Sequence, residues 1–502
     1  MKGRTVLVFA SIISIVLLNT ATLYADDFVT ISTNKRYFQF PDGTPFIPIG
    51  HNEDYDLSLL LDPARLDNYF AHMKEHGENL YRVLLDTQWD ITRIEWRVGE
   101  FNPVLVAAID SLIAAAEKHG IYLIIGQWCS LDEKNPFVEW AWDTHPYNKN
   151  YDKEKGLVEH SDELLTDEAA ISAAKNRMRF FIERWGASQN IFAWELWNEF
   201  NVMGTVEEQN YWIQEIGSFA KNLETELYGE YHLRTASTSD PEYGTSLSGI
   251  YTSPELDFTS YHTYNLGTVE AQCFTGTPGL SSIDPIDYFE FIYRCARVVR
   301  EKSAARPILG TEDFGIFDPT VIPWPFNLAL QGYTKEQRDD FFIGSAWASF
   351  MGGGGGPSLR WQHLPLFWEG APDGYRALST GMYDAQEALK NISDSVNLTQ
   401  ARAVYMNNVI FANAKQIIPM VLSDGNTHLI WLLNTQPQFT RSDVRCYVPF
   451  QSLQKSSYDV TWYDVRTGAI LQQNVARGPS FTLQSPPFKI FVAATVKKRG
   501  TR

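Results

Sequence analysis

The sequence predicts an α/β protein, a (β/α)8 TIM barrel followed by a small all-β sandwich. Short β-rich runs alternate with longer amphipathic stretches from about residue 28 to residue 390, which is typical of a parallel sheet covered by helices. After about residue 400 the helical period disappears and short alternating runs replace it. We therefore assign residues 26–398 to the barrel and residues 399–502 to the sandwich.

Residues 1–25 have the order of a secretory signal peptide. Lys2 and Arg4 form a short positive region, an apolar run extends from Val6 to Leu18, and small and polar residues continue to Ala25. Because this run is too short to span a bilayer comfortably, we favour cleavage after Ala25 over an uncleaved membrane anchor. We expect the mature chain to be secreted or periplasmic, detached from the membrane, and monomeric.

Eight strand candidates follow at regular intervals along the first region. They are Phe46–Gly50, Leu80–Leu85, Tyr122–Gly126, Phe192–Trp197, Leu233–Ser237, Phe258–His262, Ile308–Thr311 and Ser358–Gln362. A small hairpin is predicted before them, around the Pro-Asp-Gly turn of residues 41–43. The helical patterns Pro63–His76, Pro103–His119 and Glu168–Trp185 each stop at a glycine. A doubly wound open sheet is the alternative, but no G-x-G-x-x-G follows the first strand.

The second region consists of short alternating runs between turns. His428–Leu433, Tyr458–Tyr463 and Ile490–Ala494 are examples, and they predict a β-sandwich of about a hundred residues. Such a domain could bind carbohydrate, but we favour a role as a packing appendage.

Composition narrows the classes of function. A formal net charge of −18 argues against nucleic acid as a partner, since phosphate neutralisation requires a basic face, but it does not obstruct a neutral polysaccharide. The 15 Trp, 24 Tyr and 30 Phe are a rich supply of rings that can stack on sugars. Cys129, Cys273, Cys295 and Cys446 lack CxxC or His spacing, so we expect no metal site and no cofactor. A Cys273–Cys295 disulfide is compatible with an oxidising compartment.

Two carboxylates follow predicted strands at the positions where barrel enzymes place their chemistry. Glu199 comes directly after the fourth strand, beside Asn198, and an apolar run leads into Glu312 at the end of the seventh. A carboxyl pair about 5–5.5 Å apart hydrolyses glycosidic bonds with retention, and a pair about 6.5–9.5 Å apart does so with inversion. Residues 199 and 312 can meet only if strands 4 and 7 face each other across a barrel mouth.

These motifs resemble those of the clan A glycoside hydrolases, particularly the cellulase and mannanase-like family 5. Trp-Asn-Glu after strand 4 and Gly-Thr-Glu-Asp-Phe-Gly after strand 7 carry the resemblance, which covers roughly residues 35–390. It implies that Glu199 is the general acid/base and that Glu312 is the nucleophile. Asn198 would donate a hydrogen bond to the sugar 2-hydroxyl, where contacts strengthen in the transition state.

The same resemblance assigns further residues around the substrate. Arg82 in strand 2 would support the nucleophile and hold it ionised, because a nearby cation lowers the pKa of a carboxyl group. His262 and Tyr264 match a strand 6 pair near the nucleophile. The glycine run of residues 352–356 resembles the approach to strand 8, whose Trp361 would form the floor under the sugar.

Other rim residues have weaker support. Trp128, just past strand 3, is either a sugar platform or simple rim packing, and Trp89 is equally open. His51 ends strand 1 and is a candidate for substrate contact. Glu195 shares the parity of Glu199, but we favour it as a partner of the site over a catalyst. A long insertion over residues 130–166 could deepen the cleft.

The sequence therefore predicts a cofactor-independent retaining glycosidase that acts on a β-linked oligo- or polysaccharide of the mannan or β-glucan type. A non-catalytic carbohydrate-binding protein on a similar barrel is the alternative, although both carboxylates are present. A metal-dependent amidohydrolase would need a His-x-His at strand 1, and the triplet beginning at His51 is His-Asn-Glu.

Overall fold

The structure is a computed structural model. It describes residues 28–52, 57–86, 93–129, 131–134, 139–239, 248–263, 285–303, 305–313, 335–361, 379–404, 410–411, 417–435, 445–449, 457–478 and 480–499. The predicted signal peptide, Trp89, Tyr264 and Cys273 lie outside these ranges. Within them, no helix combines the length and the apolar character that a membrane span requires.

The elements alternate between strands and helices up to residue 393 and are strands thereafter. The strands are β1 Thr30–Ile31, β2 Phe38–Gln39, β3 Pro45–Phe46, β4 Gly50–Asn52, β5 Leu80–Leu84, β6 Glu95–Arg97, β7 Glu100–Phe101, β8 Tyr122–Gly126, β9 Ile191–Glu195, β10 Leu233–Thr235, β11 Ser237–Thr238, β12 Thr259–Thr263, β13 Ile308–Asp313, β14 Arg360–Trp361, β15 Arg402–Val404, β16 Ile410–Phe411, β17 Ile417–Ser423, β18 Thr427–Asn434, β19 Arg445–Pro449, β20 Ser457–Tyr463, β21 Ile470–Arg477, β22 Ser480–Gln484 and β23 Phe491–Lys498. The helices are α1 Leu57–Leu60, α2 Pro63–Glu75, α3 Pro103–His119, α4 Glu139–Asp143, α5 Glu168–Trp185, α6 Val206–Tyr228, α7 Ser248–Thr252, α8 Pro285–Lys302, α9 Lys335–Met351 and α10 Thr380–Ser393, with short 3-10 helices at Ser161–Leu165 and Phe200–Val202.

The N-terminal segment forms the predicted hairpin, in a three-stranded antiparallel sheet of β1, β2 and β3. The Asp42 carboxylate accepts a hydrogen bond from the Thr44 N–H at 2.8 Å, which closes the turn. The first predicted strand was wrong at its start. Phe46 belongs to the hairpin, where it pairs with Phe38, and the parallel strand begins only at Gly50.

A parallel sheet forms the centre of the first region. Its order is β10-β9-β8-β5-β4-β14-β13-β12-β11, and every pairing in it is parallel. The two end strands, β10 and β11, are separated in the chain by Ala236 alone, so both ends of the order belong to one stretch of sequence. Because all strands run the same way, their carboxyl ends lie along one edge, called here the carboxyl edge.

The predicted helices begin and end within a residue of their expected bounds, because local capping determines where they stop. Asn102 caps α3 by accepting the Val104 N–H, and the helix ends at Gly120, whose φ is +66°. Gly186 after α5 has an ordinary φ of −65°. There the glycine is needed for space, since a Cβ atom would lie 2.7 Å from the Ile182 carbonyl oxygen.

The C-terminal region contains two antiparallel sheets, with six strands in the order β15-β17-β18-β23-β20-β21 and three in the order β16-β19-β22. Apolar side chains of the larger sheet, including Trp462, share a cluster with Leu483 of the smaller one. The opposite face packs on the helices of the first region. Trp431 stacks on Trp347 of α9 with ring centroids 6.3 Å apart, and Arg466 donates to Asp340 at 2.7 Å. Through these contacts the C-terminal region packs on the helices of the first region.

Candidate active site

Polar side chains from four strands converge at the carboxyl edge. Arg82 lies in β5, His262 in β12 and Glu312 in β13, and Glu199 follows β9. One carboxylate oxygen of Glu199, one of Glu312 and a ring nitrogen of His262 lie within 4.8 Å of one another. The structure therefore brings together the two predicted carboxylates, which are 113 residues apart in the sequence.

Arg82 donates hydrogen bonds to three other side chains of this site. Its Nη1 donates to Glu312 at 2.6 Å, and its Nη2 donates to Asn198 Oδ1 at 2.6 Å. Its remaining contacts form a bidentate pair with Glu195, at 2.6 and 2.8 Å. Burial lowers the pKa of Arg82, but the charges of Glu195 and Glu312 outweigh this effect and raise it overall. The guanidinium therefore stays charged in a site that excludes solvent, and Glu195 is a partner of the site, as we favoured.

The Glu312 carboxyl group is almost completely buried, with 4% of its side chain exposed. Burial raises the pKa of Glu312, His262 and Arg82 act in the opposite direction, and the Glu199 carboxylate adds to the rise. The Arg82 charge lowers this pKa, but its effect is smaller than the rise caused by burial.

His262 bridges the two carboxylates. Its Nδ1 lies 2.8 Å from Glu199 Oε1 and 3.4 Å from Glu312 Oε2. The imidazole therefore fixes the orientation of both carboxyl groups relative to each other. Tyr264, predicted beside it, lies outside the described residues.

Glu199 has an unusual backbone, with φ 54° and ψ 47° in the left-handed region. Such a conformation is costly for a residue with a Cβ atom and needs support from its surroundings. Ser237 supplies that support, because its Oγ accepts the Glu199 N–H at 2.9 Å and donates to Asn198 Oδ1 at 3.2 Å. Ser237 was not among the predicted site residues, although its place at the end of the fifth predicted strand could have indicated it.

Asn198 is held from both sides. Its Oδ1 accepts hydrogen bonds from Arg82 and Ser237, and its Nδ2 donates to Cys129 Sγ at 3.4 Å. The orientation of the amide is therefore fixed, and its second N–H is left as a donor toward a ligand.

We expect Ser237→Ala to lower kcat/KM about fivefold, because the Glu199 backbone loses a hydrogen bond that contributes about 1 kcal/mol. Steady-state kinetics together with thermal unfolding would measure this. Ser345→Ala is the matched control, since that buried hydroxyl donates within α9 to the Phe341 carbonyl. Equal activities of the two variants would contradict a positioning role for Ser237.

Trp128 is not a sugar platform in this structure, so its prediction as a substrate-binding residue was wrong. The ring is 3% exposed and both of its faces are covered. Trp197 stacks on one side with centroids 5.5 Å apart, and the Arg177 guanidinium carbon lies 4.5 Å from the ring centroid. Its main-chain carbonyl accepts the Asn198 N–H at 2.8 Å, so Trp128 supports the site from behind.

The prediction that His51 contacts the substrate was also wrong, because His51 is a structural residue. It is fully buried, its Nδ1 lies 3.2 Å from Glu78 Oε1, and its Nε2 hydrogen-bonds the Tyr69 hydroxyl. Both ring nitrogens are therefore engaged inside the protein. Trp361 does lie at the carboxyl edge, in β14, where its backbone is in register with Asn52 of β4.

Glu199, His262 and Glu312 together present donor atoms of the types that could hold a divalent cation. The Arg82 guanidinium, however, donates to Glu312 at 2.6 Å and places a positive charge against one of the three donors. The arrangement therefore suits acid–base and nucleophilic chemistry by two carboxyl groups better than it suits binding of a cation.

Two sequence relatives align with much of this region, whereas no protein-family model matches the chain. The chain is 22% identical over 408 residues to mannan endo-1,4-beta-mannosidase 7 of Arabidopsis thaliana, and the alignment covers 74% of this chain and 84% of that protein. The chain is 30% identical over 269 residues to mannan endo-1,4-beta-mannosidase F of Aspergillus clavatus, and this alignment covers 47% of this chain and 58% of that protein.

Two solved structures match along almost the whole chain. A family 5 glycoside hydrolase from Bacteroides vulgatus has a TM-score of 0.61 and 13% identity, covering 94% of this chain and 93% of that one. A structure described as a glycoside hydrolase has a TM-score of 0.59 and 15% identity, with 94% and 97% covered. At such low identities the likeness establishes a shared fold.

Proposed function

We infer that the chain is a glycoside hydrolase of the family 5 type, and we propose that it cleaves β-1,4-linked mannan within the polymer, with retention of anomeric configuration. The observation that carries this proposal is the carboxyl pair, since oxygens of Glu199 and Glu312 lie within 4.8 Å. A short distance between these two oxygens favours direct attack by a carboxylate over the wider pair that an inverting mechanism uses.

The proposed architecture is a closed (β/α)8 barrel over residues 26–398 followed by a β-sandwich over residues 399–502. Closure is supported by the strand order, because the two ends of the parallel sheet, β10 and β11, are continuous in the chain except for Ala236. The sandwich is supported by the apolar cluster that joins the six-stranded and three-stranded sheets.

The first chemical step uses both carboxyl groups. Glu199, whose side chain is 22% exposed, protonates the glycosidic oxygen while the Glu312 carboxylate attacks the anomeric carbon. The bond to the leaving sugar breaks as the ester to Glu312 forms. Arg82 favours the ionised form of Glu312 before attack, and Asn198 is placed to donate a hydrogen bond to the sugar.

The second step reverses the roles. Once Glu312 is esterified its charge is gone, and Glu199 removes a proton from an incoming water. The water attacks the anomeric carbon from the face that the first leaving group occupied, the ester bond to Glu312 breaks, and Glu199 becomes protonated again. Two inversions give net retention.

Mannan is the proposed substrate because both sequence relatives are named mannan endo-1,4-beta-mannosidases. Proton NMR during hydrolysis of mannohexaose tests the stereochemistry, and the β-anomer is expected to appear first. Initial appearance of the α-anomer would overturn the retaining mechanism. A rapid fall in the viscosity of a mannan solution is expected for internal cleavage, whereas release of mannose alone would indicate exo action. Binding without turnover across a panel of glycans would favour the non-catalytic alternative.

The pH dependence of activity should reflect the buried nucleophile. Glu312 must be ionised to attack, and its pKa is raised above the ordinary 4.5. Activity is therefore lost, as the pH falls, at a higher pH than an ordinary glutamate would give, so the acid limb of kcat/KM should lie above pH 4.5.

Glu199→Gln should leave that acid limb close to its wild-type position, because the first step starts with Glu199 protonated and uncharged, and a glutamine side chain is uncharged as well. An aryl mannoside whose leaving group needs no proton keeps this variant measurable. A limb that moves to clearly lower pH would show that Glu199 is charged while Glu312 takes up its proton, and would contradict the role of Glu199 as the proton donor.

The proposed location is secreted or periplasmic. This proposal rests on the charge and apolar pattern of residues 1–25. The enzyme is further proposed to act as a monomer and without a cofactor.

A further inference from the structure

Two large aromatic side chains are exposed on segments that follow strands β5 and β8, and neither contacts the carboxyl cluster among the contacts of the described residues. Trp96 is 53% exposed and Tyr151 is 56% exposed. Trp96 is the exception among the tryptophans whose side chains the structure describes, since all the others are buried. An exposed single aromatic residue needs no explanation, but two on adjoining, firmly held segments do.

The two segments are locked together by charges beside the rings. Arg97, next to Trp96, donates to both carboxylate oxygens of Asp152, next to Tyr151, at 2.7 and 2.9 Å, and to Glu154 at 2.9 Å. A second ion pair joins Lys155 to Glu100. These contacts tie the β6–β7 hairpin to the loop that contains Tyr151.

Buried contacts hold the same hairpin from below. Glu95 accepts hydrogen bonds from the Tyr147 hydroxyl at 3.0 Å and from the Gly99 N–H at 2.8 Å. Phe101 stacks on Phe180 of α5 with centroids 3.7 Å apart and 10° between the ring planes. The rings are therefore presented on a rigid base, which lowers the entropy lost on binding a ligand.

The pair lies on the catalytic side of the molecule. The hairpin follows β5 and the Tyr151 loop follows β8, so both project from the carboxyl edge, as do Glu199 and Glu312. Tyr147 also packs on Trp128 with centroids 5.2 Å apart, and the Trp128 carbonyl accepts the Asn198 N–H. Packed side chains thus connect the exposed rings to the site of cleavage.

We propose that Trp96 and Tyr151 form a distal subsite that binds the main chain of a β-linked polysaccharide, several sugars away from the bond that is cleaved. This inference rests on the proposed function. The C–H faces of pyranose rings are apolar and stack on aromatic rings, while their hydroxyl groups can bond to charged neighbours such as Arg97 and Glu154. A polymer long enough to span both sites would benefit from the contact, and a short oligosaccharide held at the carboxylates would not reach it.

The test compares polymeric mannan with mannotetraose, using the Trp96→Ala/Tyr151→Ala double variant. We expect the ratio of kcat/KM on the polymer to kcat/KM on the short substrate to fall about tenfold. The fall should come from a higher KM for the polymer, with kcat little changed. Tyr211→Ala is the matched control, because Tyr211 is a 43% exposed aromatic on α6 that lies outside the proposed subsite. An unchanged ratio, or an equal fall in the control, overturns the proposal.

A binding measurement separates this proposal from the proposed function. Retardation of the Glu312→Gln protein in native gels containing mannan or β-glucan does not depend on turnover. Loss of retardation on adding the double substitution supports the subsite even if the wild-type protein hydrolyses neither polymer. Equal retardation with and without the substitution, or none for any polymer, overturns it even if hydrolysis is observed.

Discussion

Replacement of Glu312 by alanine is expected to lower kcat on mannan by at least about 10⁴-fold, because the covalent intermediate can no longer form. The loss should appear in kcat more than in KM, since the carboxylate acts on the anomeric carbon in the transition state. Glu224→Gln is the control. Its carboxylate is equally buried, but it binds Trp194 and His232 and not the cluster around Arg82, so that variant should retain activity.

Azide should partly restore turnover in Glu312→Ala. The shortened side chain leaves space where the nucleophile stood, and azide attacking from that side displaces the leaving group in a single inversion. The product is then an α-glycosyl azide, which NMR distinguishes from the β-anomer. Full activity without azide, or a rescued product of β-configuration, would refute the assignment of Glu312 as nucleophile.

Arg82→Met should give the second large effect, on stability and activity together. Glu195, Glu312 and Asn198 all lose a buried donor, and breaking such a network by removing one partner typically costs about 3–5 kcal/mol. The remaining two carboxylates would repel each other without a cation between them. Urea unfolding measures the stability, and kcat/KM on mannan measures the activity.

Arg184→Met is the matched control for that variant. Arg184 forms a bidentate pair with Asp110, at 2.9 and 2.6 Å, but its side chain is 43% exposed. Its loss should change the free energy of unfolding by less than about 1 kcal/mol. If the two arginine variants were equally stable, the network around Arg82 would not have the structural importance given to it.

The elements fixed by local interactions could be predicted from the sequence. The helix that begins at Pro103 and ends at Gly120 is determined by a capping side chain and by a left-handed glycine, which are both within the segment itself. The positions of Glu199 and Glu312 were predictable because Glu199 lies four residues beyond the end of β9 and Glu312 is the next-to-last residue of β13, and both strands are buried. The boundary at Phe46 was not, since an apolar residue suits a hairpin and a parallel strand equally well.

The roles of side chains that depend on several elements were harder to predict. Trp128 and His51 both stand at strand ends, where a residue can point toward the substrate or into the protein. Whether Trp128 is open depends on Arg177 of a distant helix, and whether His51 is open depends on Tyr69 and Glu78. Those contacts are set by tertiary packing, which a strand pattern does not contain.

The stacking of Trp431 on Trp347 has a consequence for how the chain unfolds. The larger C-terminal sheet and the α9 helix bury their side chains in one continuous apolar cluster, which also includes Phe289 and Phe491. Neither region has a separate core at this boundary, so opening one exposes the other to water. The free energies of unfolding of the two regions are therefore coupled. We expect the two regions to unfold together, as one cooperative unit, despite their different architectures.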